Sequence, residues 1–254
     1  MKRFLKIVGI VIVVVVAIFA GLFFYLFGGL QAQTAGLSLP AGAQAVYDGF
    51  STVFLLDPGD GKVVLIDAGN DTAGKAILDA LQKRNSSPDN VEAIFITHAH
   101  PDHDAAIALF PKATIYAMKR EVPVAAGKED YGSMLSKVAG RFNPHPFDVT
   151  HPLENGDKVT VGNLEVTAFD VPGHTAGSGA YLVQGVLYLG DAAMINTNHE
   201  IIGPSKAFST DPVEGVVSLK HLAEELQPRA DEVKVLATAH TGGVAGLAPL
   251  AAVK

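Results

Sequence analysis

The chain contains no cysteine. That absence excludes disulfides, thiolate metal sites and a lipid-modified cysteine anchor, and it is compatible with an oxidising envelope compartment. Basic residues are scarce as well: 19 Lys and Arg stand against 26 Asp and Glu, a formal net charge of −7. Nucleic-acid partners favour clustered Lys and Arg, so none is expected. There is no internal repeat, and no low-complexity tract beyond one apolar run at the N-terminus. A length of 254 residues suits one sizeable globular domain plus something short.

The apolar run explains a mean hydropathy of +0.28. Lys2, Arg3 and Lys6 precede a stretch from Ile7 to Leu30 that holds no charged residue. About 20 apolar residues cross the hydrocarbon core of a bilayer. A cleaved signal peptide has an apolar region of roughly 7–15 residues ending in a small-residue site, and LQAQTAG matches such a site poorly. Residues 1–30 are therefore expected to be a transmembrane anchor, 31–44 a linker and 45–254 the globular domain. Basic residues favour the cytoplasmic side, which places the domain on the extracytoplasmic side, periplasmic or extracellular.

Within the domain, VYDGFSTVFLLD and GKVVLIDAG read as strands around the turn PGDG. DTAGKAILDALQKRN has helical spacing, with Asp71 or Thr72 as its cap. DKVTVGNLEVTAFDV and GAYLVQGVLYLGD read as hairpins, and EVKVLATAH as a final strand before an apolar tail. A helix is expected after Asp211, with Pro212 at its first position. Strands and helices in both halves imply an α/β domain of sheets covered by helices.

The stretch AIFITHAHPDHDAAIALF drives an apolar strand into three histidines and two aspartates. Desolvating imidazoles and carboxylates is costly unless each finds a partner. His98 and His100, two apart on an extended chain, point to one side; Pro101 then turns Asp102 and His103 into a helix start. Such a cluster can hold two cations, one on the His pair and one on the Asp–His pair. Neither set is complete, because zinc normally takes about four ligands. Three other strand ends each deliver a ligand-type residue beside a glycine: His174 in VPGHTAGS, Asp191 in LYLGDAA and His240 in LATAHTGG.

The run H-A-H-P-D-H, then G-H-T, then G-D, then a late His, resembles the metallo-β-lactamase fold superfamily. It is most similar to the hydrolase branch that includes glyoxalase II, over LIDAG to AHTGG. The resemblance implies an αβ/βα four-layer sandwich with the site at one edge, here preceded by the transmembrane helix. It implies two divalent metal ions, zinc in the first instance and otherwise iron or manganese. One is held by His98, His100 and His174 and the other by Asp102, His103 and His240, with Asp191 bridging them. The implied reaction is hydrolysis of an ester, thioester, lactone or lactam in a small-molecule substrate by a bridging hydroxide, with Asp102 as the catalytic residue that orients the nucleophile or shuttles its proton. Alternatives on the same fold are an iron-dependent oxygenase resembling persulfide dioxygenases and a non-catalytic metal-binding membrane protein. Glyoxalase II carries a C-terminal helical region for glutathione, whereas this chain ends soon after His240.

Asp67 in VLIDAG is expected to orient a ligand, and Asp104 to complement a helix dipole. His221 should lie on a solvated helix face. His145, His151 and His199 are expected in loops and not as ligands. Lys119, Arg120 and Arg141 are expected to be solvated near the site.

Overall fold

The computed structural model describes residues 11–18, 20–21, 28–142 and 145–254. The chain divides into two units, Met1–Leu30 and Gln31–Lys254. In the first, residues 11–18 and 20–21 are helical and the apolar side chains from Val11 to Ile18 are exposed. The expected anchor over 1–30 lies largely outside the described residues. Among the described residues, no helix is long and apolar enough to cross a membrane.

The second unit is built on two six-stranded sheets. In the first, β1 (Gln44–Tyr47), β2 (Thr52–Leu56), β3 (Val63–Ile66), β4 (Val91–Phe95), β5 (Thr114–Met118) and β6 (His151–Leu153) lie in sequential order. The second runs β14 (Gly242–Ala245), β13 (Val235–Thr238), β10 (Val186–Tyr188), β9 (Gly179–Val183), β8 (Leu164–Asp170) and β7 (Lys158–Val161). Both sheets are mixed. β3, β4, β5 and β6 pair in parallel, as do β10 and β13, and the remaining neighbours are antiparallel. A small ribbon, β11 (Met194–Ile195) with β12 (Ile201–Ile202), stands apart.

Strand alternation explains why so many residues are apolar in succession. Phe54 and Leu56 of β2 join Val64 and Ile66 of β3, Tyr181 and Val183 of β9 and Tyr188 of β10 in the core between the sheets. Their neighbours Val53, Leu55, Val63 and Leu65 point the other way, onto Ile77, Ala80 and Leu81 of helix α1 (Lys75–Lys83). Behind the second sheet, Leu182, Leu187 and Leu236 meet Leu219, Leu222 and Leu226 of a long helix, Pro212–Leu226. A strand buried on both faces loses the polar half of its pattern. The expected four-layer sandwich is therefore the architecture, helix outside sheet on either side.

Several local readings shift. VYDGFSTVFLL is two strands, because Asp48 accepts hydrogen bonds from the Phe50 and Ser51 amides and turns the chain. Helix α1 starts after Gly74 in the left-handed region, so Gly74 rather than Asp71 or Thr72 holds the N-cap position, and Asp71 reaches in from the preceding turn to accept from the Ala73 and Lys75 amides. The apolar tail contains β14, and Gln31 and Ala35 of the expected linker bond to it. Gln31 is buried, and its Nε2 donates to the carbonyls of Thr241 (2.9 Å) and Gly243 (3.1 Å), while the Gly243 amide donates to Ala35 O (2.8 Å). Asp211 caps the long helix as expected, accepting from the Val213 and Glu214 amides.

Candidate metal centre

Each cluster residue follows the end of a strand. β4 runs into His98 and His100, then into the one-turn helix α2 (Pro101–Asp104) that carries Asp102 and His103. β8 leads to His174, β10 to Asp191 and β13 to His240. Gly190, before Asp191, has φ 53° and packs so closely on Thr97 that no side chain fits. The glycine beside a ligand thus serves both turn and close approach.

The seven donors fall into two groups. His174 Nε2 lies 3.1 Å from His98 Nε2 and 3.0 Å from His100 Nδ1. In the other group, His103 Nε2 is 3.3 Å from Asp102 Oδ2 and 3.4 Å from Asp191 Oδ1. His240 Nε2 is 3.2 Å from both Asp102 Oδ2 and Asp191 Oδ2. Asp191 joins the groups, its Oδ2 standing 3.7 Å from His174 Nε2. Within each group the donor atoms lie within 4.8 Å of one another.

These spacings test the fit to a cation. Ligands about 2.0–2.1 Å from a tetrahedral ion lie about 3.3–3.4 Å apart along the tetrahedron's edge. Charge-assisted hydrogen bonds from nitrogen to carboxylate are shorter, about 2.7–2.9 Å. The observed imidazole–carboxylate separations match the first figure rather than the second. His103 Nε2 and Asp191 Oδ1 are also buried without a hydrogen-bond partner. A buried polar atom left so is costly, and a cation between these donors removes the cost.

Charge separates the groups. Burial, followed by the neighbouring imidazoles, pushes His98 well below the ordinary histidine range; burial lowers His100 and takes His174 to about 3. These rings are neutral, with lone pairs to offer. Burial opposes charge at His103 and His240 too. There, however, the facing carboxylates prevail, holding His103 well above its ordinary value and His240 at about 10. Burial likewise tends to raise Asp102 and Asp191, yet His103 and His240 hold both well below the usual carboxylate range.

The sequence pattern described as the Metallo-beta-lactamase superfamily matches residues 46–247. The chain belongs to this superfamily. It is 31% identical over 143 residues to a hydroxyacylglutathione hydrolase of Shewanella halifaxensis, covering 56% of this chain and 42% of that protein. A second such hydrolase, from Nitrosomonas europaea, is 35% identical over 130 residues, covering 50% of this chain and 40% of that protein. The chain thus spans less than half the length of these relatives. The probable metallo-hydrolase YflN of Bacillus subtilis is 28% identical over 194 residues, 66% of this chain and 72% of that protein. Among solved structures, a metallo-beta-lactamase family protein from Thermus thermophilus superposes with a TM-score of 0.61 at 22% identity, covering 85% of this chain and 78% of that one. A superfamily protein from Sulfolobus tokodaii gives 0.59 at 19% identity, covering 84% of each chain.

In this superfamily member, each cluster histidine has a neighbour at its outer nitrogen. His103 Nδ1 donates to Asp67 Oδ2 (2.8 Å), and His240 Nδ1 to Phe50 O (3.0 Å). His174 Nδ1 meets Ser209 Oγ (3.0 Å) and His98 Nδ1 meets Thr97 Oγ1 (3.2 Å). His100 is reversed, its Nε2 toward Tyr131 O (3.4 Å) and its Nδ1 inward. Such partners fix the tautomer and aim the free nitrogen. Asp67, at φ 61°, also accepts from the Thr97 amide and hydroxyl. This is the orienting contact expected of it.

Asp104 lies in the single turn of α2, as expected, but it is buried at 2% exposure, and burial holds its carboxyl well above the usual carboxylate range. Its Oδ1 has no hydrogen-bond partner and lies 3.6 Å from His145 Nδ1. His151 begins the edge strand β6 rather than lying in a loop. His221 is exposed, and His199 meets Gln31 in a loop. Lys119 pairs with Glu154 (2.7 Å), and Arg120 and Arg141 are exposed. Thr97, Ser209, Tyr131 and Phe50 were not singled out by the sequence pattern. Their roles depend on contacts between distant segments.

Proposed function

We propose that this chain is a metal-dependent hydrolase that uses two divalent cations, zinc foremost, to cleave an ester, thioester, lactone or lactam. The observation carrying this reading is the pair of donor groups, each with its donor atoms within 4.8 Å of one another, joined by Asp191. His98, His100 and His174 would hold one cation, and Asp102, His103 and His240 the other, with Asp191 serving both. Bound there, such cations supply Lewis acidity and lower the pKa of a water to about 7.

The chain's own groups supply orientation and proton handling. Asp102, part exposed beside His240, faces the site from the helix start. Its carboxylate can accept a proton from an attacking water and return it to a leaving group. Phe50 meets the His240 ring edge-on with centroids 5.1 Å apart and is half exposed, an apolar wall at the mouth. A cavity of about 440 Å³, lined by Val124, Tyr131 and Thr175 and by the charged Lys128, Glu129 and Asp130, opens beside Tyr131, whose ring meets His100 edge-on with centroids 5.6 Å apart.

The hydroxyacylglutathione hydrolase names support a thioester as the first substrate to try. Purified full-length chain should contain about two zinc per molecule and hydrolyse at least one member of an ester, thioester, lactone and lactam panel. His98→Ala should abolish both the first cation and turnover. Metal-loaded protein inert across the panel would refute the hydrolase reading, and bound iron with oxygen uptake would replace it. We further propose that residues 7–30 anchor the enzyme with its domain extracytoplasmic, supported by the uncharged length of that run. Retention in carbonate-washed membranes, with the domain open to external protease, is the expected result. Release by carbonate would refute it.

A further inference from the structure

Glu121 is fully buried, yet no cation pairs with its carboxylate among the described residues. It closes a short 3₁₀ turn, Lys119–Glu121, at the end of β5. Its Oε1 accepts from the Ala99 amide (2.8 Å), and its Oε2 accepts from Thr175 Oγ1 (2.7 Å). The Gly177 amide lies beside the same carboxylate and favours its charged form. Gly177 itself packs directly on the Arg120–Glu121 backbone, where a side chain would collide.

The positions of these donors give the group its meaning. Ala99 lies between His98 and His100, and Thr175 follows His174. One carboxylate therefore bonds both segments that carry the first cation's three imidazoles. A core needing only to be filled would favour an apolar side chain, since burying a carboxylate is costly even when it is hydrogen-bonded. The two segments belong to different sheets, one after β4 and the other after β8.

We infer that Glu121 is a positioning residue whose carboxylate clamps the His98–His100 segment to the His174 segment, fixing the spacing of the three nitrogens and with it the affinity for the first cation. This rests on the two-cation reading above. Glutamine keeps the shape of Glu121 but turns an N–H₂ group toward donors, so at least one bond is lost or reversed. Thr175→Val removes a single donor, and Thr175→Ser restores it.

The test uses full-length protein, with Zn²⁺ and Co²⁺ competed against a chelator, and with His98→Ala and His240→Ala as references to assign each site. Glu121→Gln should weaken the first cation about 10–100-fold, as loss of an outer partner does, and the second by less than about threefold. Thr175→Val should weaken the first cation in the same sense, with Thr175→Ser near wild type. Amide exchange on metal-free protein should speed up at Ala99 and Gly177 in Glu121→Gln, with the melting temperature otherwise kept. Unchanged first-cation affinity, or an equal loss at both sites, would overturn the clamp. Unchanged exchange at Ala99 and Gly177 would overturn it even if wild-type protein bound no metal, an outcome that by itself refutes only the hydrolase reading.

Discussion

Titrating metal-free protein with Zn²⁺ at a series of pH values separates the two donor groups by the protons each surrenders. At pH 7 the His98, His100 and His174 rings are neutral, His174 down to about 3, so a cation meets ready lone pairs. His103 and His240 keep their protons beside Asp102 and Asp191, His240 up to about 10. An imidazolium has no lone pair to give, so both protons must leave before those rings can ligate. Release of two protons makes the apparent affinity rise about 100-fold per pH unit, about 2.7 kcal/mol at one unit of pKa per proton. The first cation should therefore bind with little pH dependence between about pH 6 and 9, while the second tightens steeply with pH. Calorimetry in buffers of different ionisation enthalpy counts the protons directly. The expected counts are near zero for the first cation and at least two for the second, a shared water adding at most about one. Equal counts for the two cations, or fewer than one at the second, would refute the charge assignment.

Four further outcomes follow from the same contacts. Asp67→Ala removes the acceptor of His103 Nδ1 and should weaken the second cation about 10–100-fold by chelator competition, leaving the first within about threefold. Metal-free protein should be most stable near pH 6.5. Below it, the unfolded chain protonates His98, His100 and His174 while the fold keeps them neutral; above it, the fold keeps protons on His103 and His240 that the unfolded chain has lost. Melting temperatures in chelator that rose steadily from pH 5 to 8 would contradict this. Gln33 Nε2 donates to Ala239 O (2.8 Å) and to Phe50 O (3.2 Å), the carbonyl that holds His240; Gln33→Ala should lower second-cation affinity severalfold, readable by the same competition. Asp211→Ala should cost about 1 kcal/mol of stability through the lost helix cap, seen in denaturant melts with metal content unchanged.

What could be read in the sequence, and what could not, divides along a physical line. The cluster residues announce themselves because apolar strands end in turns that carry His or Asp, three of them beside a glycine, and a strand end cannot bury such groups without a partner. The β7–β8 and β9–β10 hairpins and the Asp211 cap were legible for a similar reason, since turn and cap chemistry acts within a few residues, whereas β14 had read as a tail. Asp67 was half legible: its place after VLI marked a strand end, while its bond to His103, 36 residues on, is a fact of packing.

Glu121 was not legible at all. In MKREVP it sits among charges and reads as surface, yet its two donors come from positions 99 and 175. Residues 31–44, read as a linker, do not announce their contacts, because small and polar residues compose free and bound connectors alike. Only the docking of Gln31 against Thr241 and Gly243 tells them apart. Asp104 was legible as a first-turn acid but not as a buried one, because its burial comes from packing by distant segments rather than from its place in the helix. The donors that would touch a cation are thus written locally. The groups that aim those donors, Asp67, Glu121, Ser209 and the Gln33–Phe50 pair, reach them only through packing between segments far apart in the chain. Because outer partners shift metal affinity by about 10–100-fold, superfamily members with the same seven donors can differ widely in cation affinity through residues that no motif records.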